Sequence, residues 1–224
     1  MITPDLILKG NRKSITLTVL KDGRVVVKAP TRVSDVFINK FIADKQRWLA
    51  SKLSLIAGTN EQFLDCMQYK KTLLYGEKLL IVFDDCKSIN ADFNSLKLVV
   101  PEKYQSKDYK AKIVSWYKAE AKRVLFERLK YISSKIKLAT SNIKLTNAKG
   151  KWGSCSSKKE IALNWRMLML PPDVIDYIII HELCHLKEMN HSQNFWQAVE
   201  SFLPHYKNSR SKLKKYNFVL ELYR

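Results

Sequence analysis

His181-Glu182-Leu183-Cys184-His185 is an H-E-x-x-H motif. On an α-helix, histidines four residues apart lie about 40° apart around the axis, so both imidazoles can meet one metal ion. Glu182 projects from a neighbouring position, where it reaches a water on that ion without being a ligand. His191 follows six residues after His185, so three of the chain's four histidines fall in an 11-residue window. With four His and ten Glu in 224 residues, independent placement gives such a motif on the order of 0.3% of the time. Without a metal, the motif would leave two imidazoles and a carboxylate unpaired on an otherwise apolar helix, which is costly.

Two residues compete for the place of third ligand, His191 and Glu200. For His191 to join, the chain must leave the helix and turn back within about six residues. The metzincin pattern H-E-x-x-H-x-x-G-x-x-H turns at a Gly, but Glu188 stands there and no Met follows Met189 to make a Met-turn. Asn190 tolerates the left-handed conformation and is expected to end the helix just before His191. Glu200 would come from a following helix. Imidazole is the commoner ligand, which favours His191.

Three protein ligands leave the fourth position of a tetrahedral zinc ion open to water, which separates a catalytic site from a closed structural one. Glu182 would take a proton from that water as it attacks a carbonyl, then pass it to the leaving amine. This is peptide or amide hydrolysis. His205, Tyr206 and Arg210 follow the next helix and are the candidates for stabilising the oxyanion. Residues 160–166 suit an edge strand to which an extended substrate adds, with Asn164 and Trp165 in the cleft; a core position for Trp165 is the alternative. Cys184 points about 100° away from each flanking motif residue and is read as a packing residue. Trp152, Gly153 and Cys155 are expected to shape a turn behind the metal.

The elements that must hold these residues are visible as periodicities. Pro171-Pro172 and Asp173 open the motif helix, and Val174, Ile175, Ile178 and Ile179 make its first turns apolar. Upstream, strand-like pieces occupy 142–147, 151–156 and 160–166. Before them a long amphipathic helix is expected over 108–137, with a stripe of Ile113, Tyr117, Ala121, Val124, Leu125, Ile132 and Ile136. Pro101 to Lys107 is the best boundary. On its N-terminal side, residues 13–20 and 24–29 alternate apolar with polar around Asp22-Gly23, a hairpin signal. Ser34 caps a helix predicted over 35–56, with Gly58-Thr59-Asn60 breaking it. Residues 72–83 and 95–100 are β-rich, split by a polar loop over 84–94.

The formal net charge is +19. Residues 107–151 carry 13 basic and three acidic groups, a net +10, so over half of the excess lies in one stretch. Only nine of the 40 basic residues are Arg. Lys-rich surface attracts phosphate diffusely, whereas sequence-reading contacts favour Arg. The basic stretch is mostly the outer face of the long helix, and a nucleic-acid role is the lesser expectation. Cys66, Cys86, Cys155 and Cys184 contain no C-x-x-C pair, so no disulfide framework or Cys-based finger is suggested. No apolar run approaches the roughly 18 residues of a membrane span, and the first residues lack a signal-peptide pattern. A cytoplasmic protein is the default expectation.

The run Lys151-Trp152-Gly153-Ser154-Cys155-Ser156, then Ile161 to Arg166, then Pro171 to Ser192 around the motif resembles the YgjP-like metal-dependent hydrolases. These are also described as a domain of unknown function related to the SprT group of zinc metallopeptidases. The basic hairpin over 12–30 is similar too, so the resemblance spans nearly the whole chain. It implies zinc held by His181, His185 and His191, with Glu182 as general base. The relation to DNA-associated proteases also raises the nucleic-acid expectation slightly.

The expectation is therefore an α+β protein. A zincin-like metallopeptidase domain spans 105–224, with its H-E-x-x-H helix packed on a small antiparallel sheet. A mixed, β-rich accessory module spans 1–104. A peptide or protein is the expected substrate, and no membrane contact is expected. Other possibilities are a hydrolase of non-peptide amides, a nucleic-acid-associated protease recruited by the basic 107–151 face, and a non-enzymatic binding module with a structural metal. Substrate and oligomeric state are not given by the sequence.

Overall fold

Alternating residues build the first sheet. Strands β1 (Leu6–Gly10), β2 (Thr16–Val19) and β3 (Val25–Pro30) are ordered β1-β3-β2. β2 and β3 pair antiparallel, Thr16 opposite Lys28 and Val19 opposite Val25, and β1 adds parallel to β3. Gly23 takes φ +89° in the turn, a conformation glycine adopts without steric cost; Asp22 lies outside the described residues. Those are 2–20, 23–68, 70–105 and 109–223 of the computed structural model. Val25, Val27 and Ala29 form a small core with Ile38, Ile42 and Leu49, while Lys28 faces out.

Ser34 caps α1 (Asp35–Asp44), its hydroxyl accepting from the Phe37 amide at 3.3 Å. The single helix predicted over 35–56 is two. α1 stops at Lys45, whose φ −103° and ψ 7° leave the helical region, and α2 runs Gln46–Gln68 straight through Gly58. One mid-helix glycine costs about 1 kcal/mol, too little to end a helix of this length.

The chain divides into two units, Met1–Gln62 and Phe63–Arg224. The boundary expected near residue 104 is displaced because the second sheet belongs to the larger core. Strands β4 (Lys71–Leu74), β5 (Glu77–Asp84), β6 (Asn90–Asp92) and β7 (Lys97–Pro101) are ordered β4-β5-β7-β6, so the predicted polar loop contains a short strand. Leu73, Leu74, Leu79, Leu98 and Val100 are buried with α3 (Tyr109–Ile136). Tyr117 of α3 donates to the Leu73 carbonyl at 2.6 Å, and the Tyr75 and Gly76 amides donate to Leu168 and Met169. Pro101 and the charges after it mark a connection within one unit.

The stripe of α3 is buried as expected at Ile113, Tyr117, Ala121, Leu125 and Ile132. Its outward lysines and arginines form a solvated face on which Arg123 pairs with Glu120 at 2.7 Å and Arg128 with Asp176 at 2.6 Å. The last sheet holds β8 (Asn142–Thr146), β9 (Gly153–Cys155) and β10 (Glu160–Asn164) in the order β8-β10-β9. β10 pairs parallel with β8 and antiparallel with β9. This sheet is mixed, not purely antiparallel, and β10 is its centre; β9 is an edge. Helices α4 (Pro172–Cys184), α5 (Gln193–Phe202) and α6 (Tyr206–Lys215) complete the unit. Among the described residues, no helix is long and apolar enough to cross a membrane.

Candidate metal centre

α4 is apolar nearly all round, and nine of its 13 residues are buried. Such a helix must be surrounded by other elements. Its start is fixed by charge: Asp176 takes both arms of Arg128 at 2.7 and 2.6 Å, and Asp173 takes Lys212 at 2.9 Å. Pro172 in the first turn loses no hydrogen bond there. The last turn then delivers His181 and Glu182 into the unit, and His185 is the C-cap.

The turn to His191 differs from the expected one. α4 ends at Cys184, well before Asn190, and no residue from 185 to 191 has a positive φ. The Leu186, Lys187 and Glu188 amides bond back to the Leu183 and Cys184 carbonyls, so three short turns replace a left-handed one. Asn190 contributes its side chain, which accepts from the Ser192 amide at 3.2 Å. Ser192 caps α5 through the Phe195 amide. The imidazoles of His181, His185 and His191 are thereby brought together, with one potential ligand atom from each within 4.8 Å of the others.

Their hydrogen bonds suit a cation. His185 Nδ1 lies 2.9 Å from the Glu188 carbonyl, which can only accept, so Nδ1 carries the proton and Nε2 keeps its lone pair. His181 Nε2 and His191 Nε2 face each other at 3.0 Å. Two opposed lone pairs there repel unless a proton or a metal ion lies between them. His181 Nδ1 is buried with no hydrogen-bond partner among the described residues. Burial, then His185, His191 and Arg210, hold the His181 pKa down to about 3, and the same kinds of cause lower His191. Three imidazoles converging on one point fit a divalent metal ion.

Glu182 stands outside this triad. It is 6% exposed, and burial raises its carboxyl pKa to about 7 against a smaller downward pull from Lys151. Its side chain lies on the backbone of β9. A Cβ placed on Gly153 would meet Glu182 Cγ and Oε1 at 2.7 Å. Only glycine leaves that space.

The remaining sequence candidates separate. Glu200 is on α5, pairs with Lys207 at 3.7 Å and is not among the three clustered groups. His205 is exposed ahead of α6. Tyr206 is buried and stacks on Trp196, 5.4 Å between ring centroids and 15° from parallel, and Arg210 sits 4.5 Å from the same indole. Asn164 and Trp165 are buried and do not line a cleft. Asn164 ties the Ala148 and Lys151 carbonyls, and the Trp165 indole donates to Asn147. Cys184 is fully buried with its thiol pKa pushed up to about 11, a packing residue as expected. Phe195 and Trp196 escaped the sequence reading. Phe195 lies 4.5 Å from the His185 ring, and Trp196 stacks on His191 at 5.6 Å. Their places four and five residues after His191 were the available signal.

A family model described as the YgjP-like metallopeptidase domain matches residues 13–216. The chain belongs to the YgjP-like metallopeptidase family. This protein is therefore a metallopeptidase-like hydrolase, and the resemblance read from its motifs holds over nearly its whole length. Two solved structures are similar to the YgjP-like chain, the metallopeptidase zymogens of Pyrococcus abyssi (abylysin) and Methanocaldococcus jannaschii (jannalysin). Each is 25% identical, at TM-scores of 0.37 and 0.36, over 40% of this chain and 90% and 92% of theirs. No curated protein matches.

Proposed function

We propose that this chain is a zinc-dependent peptidase with a zincin-like catalytic unit. His181, His185 and His191 hold the metal, and Glu182 is the general base. The convergence of three imidazoles beside a buried carboxyl carries this reading. A bound zinc ion supplies Lewis-acid polarisation of the substrate carbonyl and an activated water.

The chain's own groups do the rest. Glu182, with its pKa raised towards neutrality, is matched to take a proton from water at physiological pH and to return it to the leaving nitrogen. Gly153 keeps the carboxyl in register by leaving room for its stem. The Glu188 carbonyl fixes the tautomer and plane of His185, and Phe195 packs beneath the ring. As the edge of its sheet, β9 offers backbone groups beside Glu182 to an extended substrate, the part that sequence reasoning had given to β10.

Restoring metal to chelator-stripped protein tests the reading. Hydrolysis of an unstructured polypeptide such as reduced, alkylated casein should vanish on stripping and return with about one equivalent of zinc. Hydrolysis that survives stripping contradicts it.

A further inference from the structure

Two walls of the site carry cations that no described residue neutralises. Lys151 is exposed and stands two residues before Gly153, whose backbone lies against Glu182. Arg210 of α6 holds its guanidinium 4.5 Å from the Trp196 ring, which itself stacks on His191 at 5.6 Å. Neither side chain forms an ion pair or a hydrogen bond with a described residue. Four carboxylates of this unit are paired with other bases: Glu200 with Lys207, Glu160 with Lys144, Asp173 with Lys212 and Asp176 with Arg128. Glu182 is the reacting group.

Uncompensated cations beside a site built for a metal cation work against metal binding unless an anion joins them. We propose that Lys151 and Arg210 are specificity-determining residues that read acidic side chains near the scissile bond, making an acidic, unstructured peptide the preferred substrate. This rests on the peptidase function proposed above. The excess positive charge of the chain adds long-range attraction for such a substrate. A single-stranded nucleic acid would need a free aromatic face for its bases. The Trp196 ring already stacks on Tyr206 and His191 and carries Arg210, so the geometry favours the peptide.

Binding and cleavage test this separately. Full-length, zinc-loaded Glu182→Gln protein is titrated with two fluorescein-labelled 12-residue peptides, identical except that Asp and Glu in one are Asn and Gln in the other. Fluorescence anisotropy should show the acidic peptide bound at least ~10-fold more tightly, the discrimination of one well-placed charged contact. Adding Lys151→Gln and Arg210→Gln should cut that preference below about threefold, with zinc content unchanged. Equal binding of the two peptides, or a preference that persists in the multiple variant, overturns the inference. So does an oligothymidylate that displaces the acidic peptide and binds with the same dependence on both residues. Wild-type protein supplies the distinguishing arm. Cleavage of both peptides with equal kcat/KM removes the charge preference alone. Tight acidic binding with cleavage of neither removes the peptidase function, and with it the role of these residues in reading a substrate.

Discussion

Glu182→Gln should reduce hydrolysis by a factor on the order of 10² to 10⁴, the usual contribution of a positioned general base. Zinc content should be unchanged, because Glu182 is not one of the three clustered histidines. The amide copies the shape of the carboxyl and cannot take up the proton. A second readout follows from burial. Folded Glu182 titrates at about 7, against 4.5 for the ordinary group, so the folded chain binds this proton more tightly than the unfolded one. In metal-free protein the stabilising contribution is full below about pH 4.5 and is lost as pH rises through about 7. Over that window wild type should lose roughly 3 kcal/mol relative to Glu182→Gln, measured by denaturant unfolding at each pH. Parallel pH profiles of the two proteins would mean that the carboxyl is hydrated and not held as described.

Gly153→Ala should be the most damaging single methyl in the site. The new Cβ would sit 2.7 Å from Glu182 Cγ and Oε1 and 2.9 Å from Cδ, so one side must move. β9 is held by β10, with Gly153 opposite Leu163 and Cys155 opposite Ile161, whereas the Glu182 side chain, although buried, can turn about its own torsions. The carboxyl therefore yields. Stability should fall by roughly 1–3 kcal/mol from overpacking, and a displacement of about 1 Å in a general base costs on the order of 10²-fold in rate. Gly150→Ala is the matched control, since a Cβ there meets nothing within 4 Å. Comparable activity in the two variants would show that β9 does not set the position of the base.

The difference between these residues also explains what the sequence made legible. His181 and Glu182 lie on one helix and His185 caps it in helical geometry, so helical spacing alone puts them together. His191 lies beyond the helix, and its approach rests on backbone bonds after Cys184 that leave no mark in residue types; Asn190 advertised a left-handed turn that does not form. Gly153 meets Glu182 across 29 positions, and its own backbone is unexceptional, so nothing local announced the contact. The parallel pairing of β8 with β10 places β9 at the edge, an order that strand propensity cannot rank. The boundary expected near residue 104 falls inside one unit for a related reason. Pro101 and the charges beside it signal a surface connection, whereas membership of a unit is set by which core Leu73 and Leu79 enter.

Metal content of the purified protein, determined by elemental analysis for wild type, His191→Ala and Glu200→Ala after incubation with zinc, tests the centre most directly. About one zinc per chain is expected in wild type and Glu200→Ala, with 10- to 100-fold or greater weakening in His191→Ala. Wild-type protein that holds no zinc, or a His191→Ala protein that holds it as firmly as wild type while Glu200→Ala loses it, would contradict the three-histidine site.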